Sequence, residues 1–160
     1  MAQTEQFIQL VKHPVKFRLF LLSKLPSAFF SGVRVKEIGK EKTEVTVPYK
    51  WFSQNPFKST YFACLAMAAE LSTGLLALMY TYKNNPAVSM LVVGLEAKYY
   101  KKAVDLTIFS CEDGKAIKEA IAATLNTGEG YTVRTTSTGK NSDGDLIAEF
   151  FITWSFKTKK

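Results

Sequence analysis

Cysteine, histidine and any second long hydrophobic run are what this 160-residue sequence has least of. Its two cysteines, Cys64 and Cys111, offer no disulfide framework and read as small core residues of a reducing compartment, so the expected location is cytoplasmic. A nucleophilic Cys64 needs a basic partner, and the sole histidine, His13, lies far off in the N-terminal segment. No His/Cys/Asp cluster has metal-ligand spacing, so no metal is expected, and no Gly-rich phosphate loop is present. The opening MAQTEQF lacks the basic start and unbroken apolar run of an export signal. Internal repeats and low-complexity tracts are missing too, and an apolar content of 47% points to one globular domain with a sizeable core. The net charge of +7 and 13% aromatic content suggest an anionic partner. Nucleic acid is not expected in that role, because the lysines are dispersed and no base-stacking motif accompanies them.

What is present is organised around one stretch, Asn55 to Tyr80. After Lys58 it contains a single ionisable acid or base, Glu70, in a run that is apolar on every side. A helix of that kind has to be surrounded. Ser59 or Thr60 is the expected N-cap, and roughly 22 residues from Ser59 would extend about 33 Å, long enough for a membrane span or a core helix. The strand-like runs that follow Asn85-Pro86 favour the core helix of a soluble domain. Glu70 then has three ways to exist there: find partners, hold a proton, or face a water-filled crevice.

Taken in order, residues 4 to 25 form a basic amphipathic helical segment, kinked or broken by Pro14 and stopped by Pro26. It suits packing on one end of a sheet or on a partner subunit, and as a rival role peripheral contact with a membrane surface. Val33 to Tyr49 reads as one bent strand or a hairpin about Gly39-Lys40. Ser89 to Tyr100 is a strand whose first half is apolar enough to be covered on both faces, and Lys101-Lys102 marks a bend before a strand from Ala103 to Cys111. Asp113 to Leu125 is a short amphipathic helix ended by a Gly-rich turn. Two strands follow, about the hairpin signal Asp143-Gly144, the last with Ala148, Phe150, Ile152, Trp154 and Phe156 on one parity. The order implies an α+β fold in which an antiparallel sheet curves around one long helix.

These residues resemble the hotdog fold of acyl-CoA thioesterases. Asn55 precedes Glu70 by fifteen residues, the spacing familiar from an Asn ahead of the central helix and an acid two turns within it. Glu70-Leu71-Ser72-Thr73-Gly74 resembles the stretch after the family acid, and Glu96 to Asp105 is similar to the strand-bend-strand that follows. Tyr61-Phe62-Ala63 stands where many members carry His-Gly-Gly, which removes the small residues that let backbone approach a ligand. The likeness runs from Gly32 to Lys157 and is nearest to a branch of uncharacterised function with an Asn-Pro-x-x-Ser start. It implies a hotdog domain over 31–160, preceded by a helical segment over 1–30 that packs on the domain or its partner.

The resemblance further implies hydrolysis of an acyl thioester, with Glu70 as general base or nucleophile and Asn55 orienting water or substrate. The thioester carbonyl would sit against backbone N–H groups near Tyr61, Phe62 and Ala63, at the positive end of the helix. Lys58, Lys101 and Lys102 would meet the phosphates of coenzyme A, present only as part of the substrate; the plain alternative for each is a solvated surface charge. A homodimer or dimer of dimers is implied, because acid and helix turn commonly come from different subunits. Family dehydratases use a histidine with the acid, and none lies between Asn55 and Glu70, which disfavours that chemistry. For Glu70 the structural alternative is a carboxylate held by backbone donors or a lysine, and for Asn55 a turn residue before Pro56. The rival function is a non-catalytic acyl- or lipid-binding hotdog protein, favoured by the bulk of Tyr61 and Phe62.

Overall fold

The computed structural model describes residues 2–159, and its first helices show what the two early prolines do. α1 (Ala2–Lys12) ends ahead of Pro14, α2 (Pro14–Lys24) begins on it, and α3 (Pro26–Phe30) begins on Pro26. A proline has no N–H to give, but in the first turn of a helix that N–H has no acceptor anyway. Pro26 therefore starts a further short helix where the sequence suggested only a stop. His13 caps α2 by accepting at Nδ1 from the N–H groups of Val15 and Lys16, each at 3.3 Å. Phe7, Ile8 and Val11 of α1, and Phe17 and Leu21 of α2, are buried against the rest of the chain.

Val33 to Tyr49 resolves into a hairpin, β1 (Arg34–Ile38) and β2 (Thr43–Val47), turning at Gly39-Lys40. After it come α4 (Phe62–Thr81), β3 (Val88–Tyr99), β4 (Thr107–Cys111), α5 (Gly114–Thr127), β5 (Tyr131–Lys140) and β6 (Leu146–Thr158). The six strands form one antiparallel sheet in the order β1-β2-β4-β5-β6-β3. Along β6 the expected parity holds, with Ala148, Phe150, Ile152, Trp154 and Phe156 all buried on the face that meets α4.

Among the described residues α4 is the one helix long and apolar enough to cross a membrane, yet 67% of its most apolar window is buried within the fold. Shape alone would let so uniform a rod turn about its axis. Three hydrogen bonds between helix and sheet prevent this. Ser72 Oγ donates to the Ala69 carbonyl and shares a 2.7 Å hydrogen bond with Ser137 Oγ on β5. Thr43 Oγ1 on β2 donates to the Ser72 carbonyl, and Trp154 Nε1 on β6 donates to Thr73 Oγ1 at 2.9 Å. Thr43 Oγ1 and Trp154 Nε1 are buried donors that meet these acceptors at only one rotation of the helix, and leaving one unsatisfied costs about 1–3 kcal/mol.

Three expectations are corrected. α4 begins after Tyr61, not at Ser59 or Thr60, because the N–H of Thr60 donates to the Ala103 carbonyl at 2.7 Å and Ser59 is held by Asn55. That same pairing keeps residues 100–106 out of the sheet, so β4 starts at Thr107 instead of Ala103. The first half of β3 is not covered on both faces: β3 is an edge strand, and Leu91, Val93 and Leu95 are 65%, 54% and 54% exposed. The extra residue of a bulge between Val92 and Gly94 turns the strand there.

α5 starts against the β1–β2 turn so closely that a Cβ on Gly114 would collide with the Lys40 carbonyl oxygen and the Cα of Glu41. The backbone contact is completed by the Gly114 N–H donating to the Glu41 carbonyl at 3.1 Å. Gly114→Ala is expected to lower stability by about 1–3 kcal/mol, as overpacking against rigid backbone does. Urea denaturation will show it as a lower midpoint with an unchanged slope.

Candidate functional site

Ahead of α4 a single 3-10 turn, Trp51–Ser53, leads into a tight loop built by Asn55. Its Oδ1 accepts from the N–H groups of Phe57 (2.9 Å) and Ser59 (3.2 Å), and its Nδ2 donates to Ser59 Oγ at 3.1 Å. This is the side-chain mimicry of a backbone turn for which asparagine is suited. Lys58 sits at the loop's tip in the left-handed region, φ 57°. The loop closes back on itself through the bridge Gln54 to Thr60, and the Tyr61 N–H donates to the Ser53 carbonyl at 2.7 Å.

Tyr61 occupies the N-cap position of α4 without a side-chain cap. The N–H groups of Phe62 and Ala63 have no acceptor among the described residues, so the helix presents two free donors at its positive end. Beside them opens a cleft of about 560 Å³ between the Asn55 loop and the β3–β4 connection. Asn55, Tyr61, Phe62, Lys101 and Lys102 all line it, so the fold brings these five expected residues together. Lys102 Nζ donates to the Phe57 carbonyl at 3.2 Å, and Lys101 is paired with Asp145. Phe57, Tyr99 and Tyr100 line it as well; Tyr99 and Tyr100 lie in the stretch whose strand-bend-strand character was legible, but nothing in their spacing pointed to a shared cavity.

Glu70 is not in this cleft. It lies two helical turns further, roughly 12 Å along the axis from Phe62. It lines a separate cavity of about 220 Å³ with Lys24, Leu25, Pro26, Ser27, Met67 and Leu71, where the α2–α3 joint crosses the helix. Its Oε1 lies over Gly74, 3.2 Å from where a Cβ would stand, and the Trp154 ring comes within 3.3 Å of the same point. No cation comes within 4.0 Å of the carboxylate and no donor bonds to it among the described residues. Burial therefore raises its pKa above the ordinary carboxylate range. The two cysteines are inert by comparison: Cys64 is buried with its thiol 3.6 Å from Ser31 Oγ, and burial pushes the Cys111 thiol up to about 12.

A raised carboxyl pKa means that the folded chain holds this proton more tightly than the unfolded one. Stability then falls as pH rises from the ordinary glutamate value through the raised one, and at neutrality the buried charge opposes folding. Glu70→Gln keeps the shape and removes the charge. It is expected to melt higher than the wild type at neutral pH, with the difference closing below about pH 4, where both carboxyl states are protonated. Thermal unfolding over that range will show the convergence.

No protein-family model matches the sequence, and no curated protein matches it either. Solved structures do match its fold. A protein of unknown function from Chlorobaculum tepidum superposes with a TM-score of 0.76 at 14% identity, covering 98% of this chain and 94% of that one. A protein of unknown function from Pseudomonas aeruginosa, described as a probable thioesterase, gives 0.72 at 16% identity over 98% and 96%. A thioesterase from Haemophilus influenzae gives 0.60 at 10% identity over 89% of each chain. At such identities the likeness concerns architecture alone: a six-stranded antiparallel sheet around a long helix, with helices ahead of it, is the hotdog fold, and this chain has it.

Proposed function

We propose that the protein hydrolyses an acyl thioester, with coenzyme A as the thiol. The observation that carries this reading is Glu70: an acid with no cation or donor bonded to it, set in an apolar wall at the edge of a cavity. A structural carboxylate would be expected to have partners. A base whose pKa is raised towards neutrality takes a proton from water and returns it readily. In the proposed step Glu70 accepts the proton of a water whose oxygen attacks the thioester carbonyl carbon. The free N–H groups of Phe62 and Ala63 hold the oxyanion, and collapse of the tetrahedral intermediate breaks the carbon–sulfur bond. The departing thiolate then receives the proton that Glu70 took. Asn55 acts through the loop it builds, which fixes the start of α4. Lys102 lines the cleft and would meet the phosphates of the carrier, Lys58 would reach them from the tip of the neighbouring loop outside the cleft lining, and Lys101 joins them by exchanging Asp145 for phosphate.

Within one chain Glu70 and the helix start occupy different cavities, so the reading requires a second subunit. The edge strand β3 supports one. Its outer edge is twelve residues long, unpaired, and carries Leu91, Val93 and Leu95 in the open, a combination that invites strand pairing. We take the assembly to be a homodimer, or a dimer of dimers, in which the acid of one copy approaches the helix start of the other. A second reading is favoured by one observation: the Tyr61 and Phe62 rings, 4.9 Å apart at 72°, stand at the mouth of the helix start. In that reading the cleft holds an acyl chain without cleaving it.

A panel of acyl-CoA thioesters assayed with wild type, Glu70→Ala and Glu70→Gln will decide. The expected result is turnover by the wild type and a loss of about 10²–10⁴-fold in both variants, the range for a removed general base. Equal rates in wild type and variants, or none in any, retires the proposal, and a stoichiometric acyl-CoA complex without turnover supports the binding protein. Leu91→Lys combined with Leu95→Lys is expected to give monomers by light scattering and, with them, loss of hydrolysis.

A further inference from the structure

The charge of this molecule is not spread evenly over it. From Gln6 to Lys36 the sequence has six lysines and arginines and no acid, and from Val45 to Ala69 it has Lys50 and Lys58 and no acid. The rest of the chain carries thirteen cations against fourteen acids, so these two stretches hold the whole of the net positive charge. Of their eight cations only Lys36 has an acidic partner within 4.0 Å among the described residues.

The same two stretches expose apolar side chains. On α2, Val15, Leu19 and Leu22 recur at four and three residues, the spacing of one helix face, and are 59%, 58% and 40% exposed while Phe17 and Leu21 on the opposite face are buried. α3 continues that surface: the Arg18 guanidinium lies 4.2 Å from the Phe29 ring centroid, and the Phe30 ring, next to it at 5.3 Å, reaches the Phe52 ring at 5.7 Å. Phe52 in turn meets Trp51 edge-on at 4.9 Å, and Trp51 is 75% exposed. Residues distant in sequence thus meet in an apolar and aromatic surface, and the exposed Lys16, Lys24 and Lys50 lie within two residues of its members in the chain.

We infer that this face docks on the surface of an anionic lipid bilayer. The leucines and aromatic rings enter the headgroup boundary and the lysines reach past them to acidic headgroups, the division of labour of interfacial helices. A second copy is the wrong occupant on charge grounds, since it would set two unpaired cationic faces against each other. Nucleic acid is wrong on hydrophobic grounds, since the centre of the α2 face is Val15, Leu19 and Leu22. The Glu70 cavity lies at the α2–α3 joint beside this face and is not part of it, so the inference stands whether or not Glu70 is a catalyst.

The test is sedimentation of the full chain with phosphatidylcholine vesicles containing or lacking phosphatidylglycerol. Binding to the anionic vesicles only, weakened by salt, is the expected result. It should be accompanied by a blue shift of tryptophan emission that Trp51→Phe abolishes, since the other tryptophan, Trp154, is 4% exposed. Leu19→Glu with Leu22→Glu, both at exposed positions that leave folding intact by circular dichroism, should reduce binding at least about tenfold. Equal binding to uncharged vesicles, no binding to either, or undiminished binding by the double variant overturns the inference. So does a drop in particle mass on the double substitution without vesicle binding by the wild type, which would assign the face to a second copy.

Discussion

A helix that is apolar around its whole circumference is stable only where something encloses it, and enclosing α4 sets the form of nearly everything else in this chain. All six strands of the sheet touch it, α5 closes one flank and α1 with α3 close another. Hydrophobic burial supplies the attraction but no orientation, because Ala, Leu and Met offer much the same surface in every direction. Orientation comes from Ser72 and Thr73, whose bonds to Ser137 and Trp154 tie one face of the helix to β5 and β6. With that face fixed, Glu70, three residues before Thr73, has to point to the side where the sheet ends and the α2–α3 joint begins.

The two ends of the proposed site are thereby produced by different physics. Glu70 is placed by the rotation of a rigid helix, and its chemistry follows from the surroundings it cannot avoid. The helix start is placed by hydrogen bonds of a loop: Asn55 to Ser59, Thr60 to Ala103, Tyr61 to Ser53. In consequence the N–H groups of Phe62 and Ala63 are left free without any side chain competing for them. Small residues are missing at this turn, and the bulk of Tyr61 and Phe62 stands outward, 46% and 56% exposed, so it does not close the donors off.

Much of this was legible in the sequence where a periodicity had only one reading. β6 alternates from Ala148 to Phe156, the Asp143-Gly144 turn forms its hairpin, and α5 ends at Gly128 in the left-handed conformation as a Gly-rich turn suggests. The illegible parts are those where a local signal lost to a contact distant in sequence. Ser59 and Thr60 look like helix caps, but Asn55 and Ala103 take their hydrogen bonds first. The apolar first half of β3 looks like a strand covered on both sides, and nothing local says that it will lie at an edge. His13, weighed only as chemistry, is a helix cap; it stands directly before Pro14, in a position that aspartate or serine fills more often. Asn55 shares its cleft with the residues the resemblance grouped with it, and the separation of Glu70 from them within one chain was implied only by that resemblance, in which acid and helix turn come from different subunits; helix spacing gives the distance between the two turns but not what covers each.

The strand order also bears on how the chain reaches this state. β5 and β6 are neighbours in sequence and so are β1 and β2, but Val47 pairs with Thr107 and Tyr99 with Ala148, so the joins between these hairpins and the rest close loops of about fifty to sixty residues. Closing such loops costs chain entropy before any contact rewards it. The first loop contains α4 and the second starts from the strand after it, and a helix already collapsed onto the β5–β6 hairpin shortens each of them. Acquisition of the native topology should therefore wait on the docking of that helix, and the slow folding expected of so non-local a sheet would leave the unpaired edge of β3 open to the wrong neighbours while it waits.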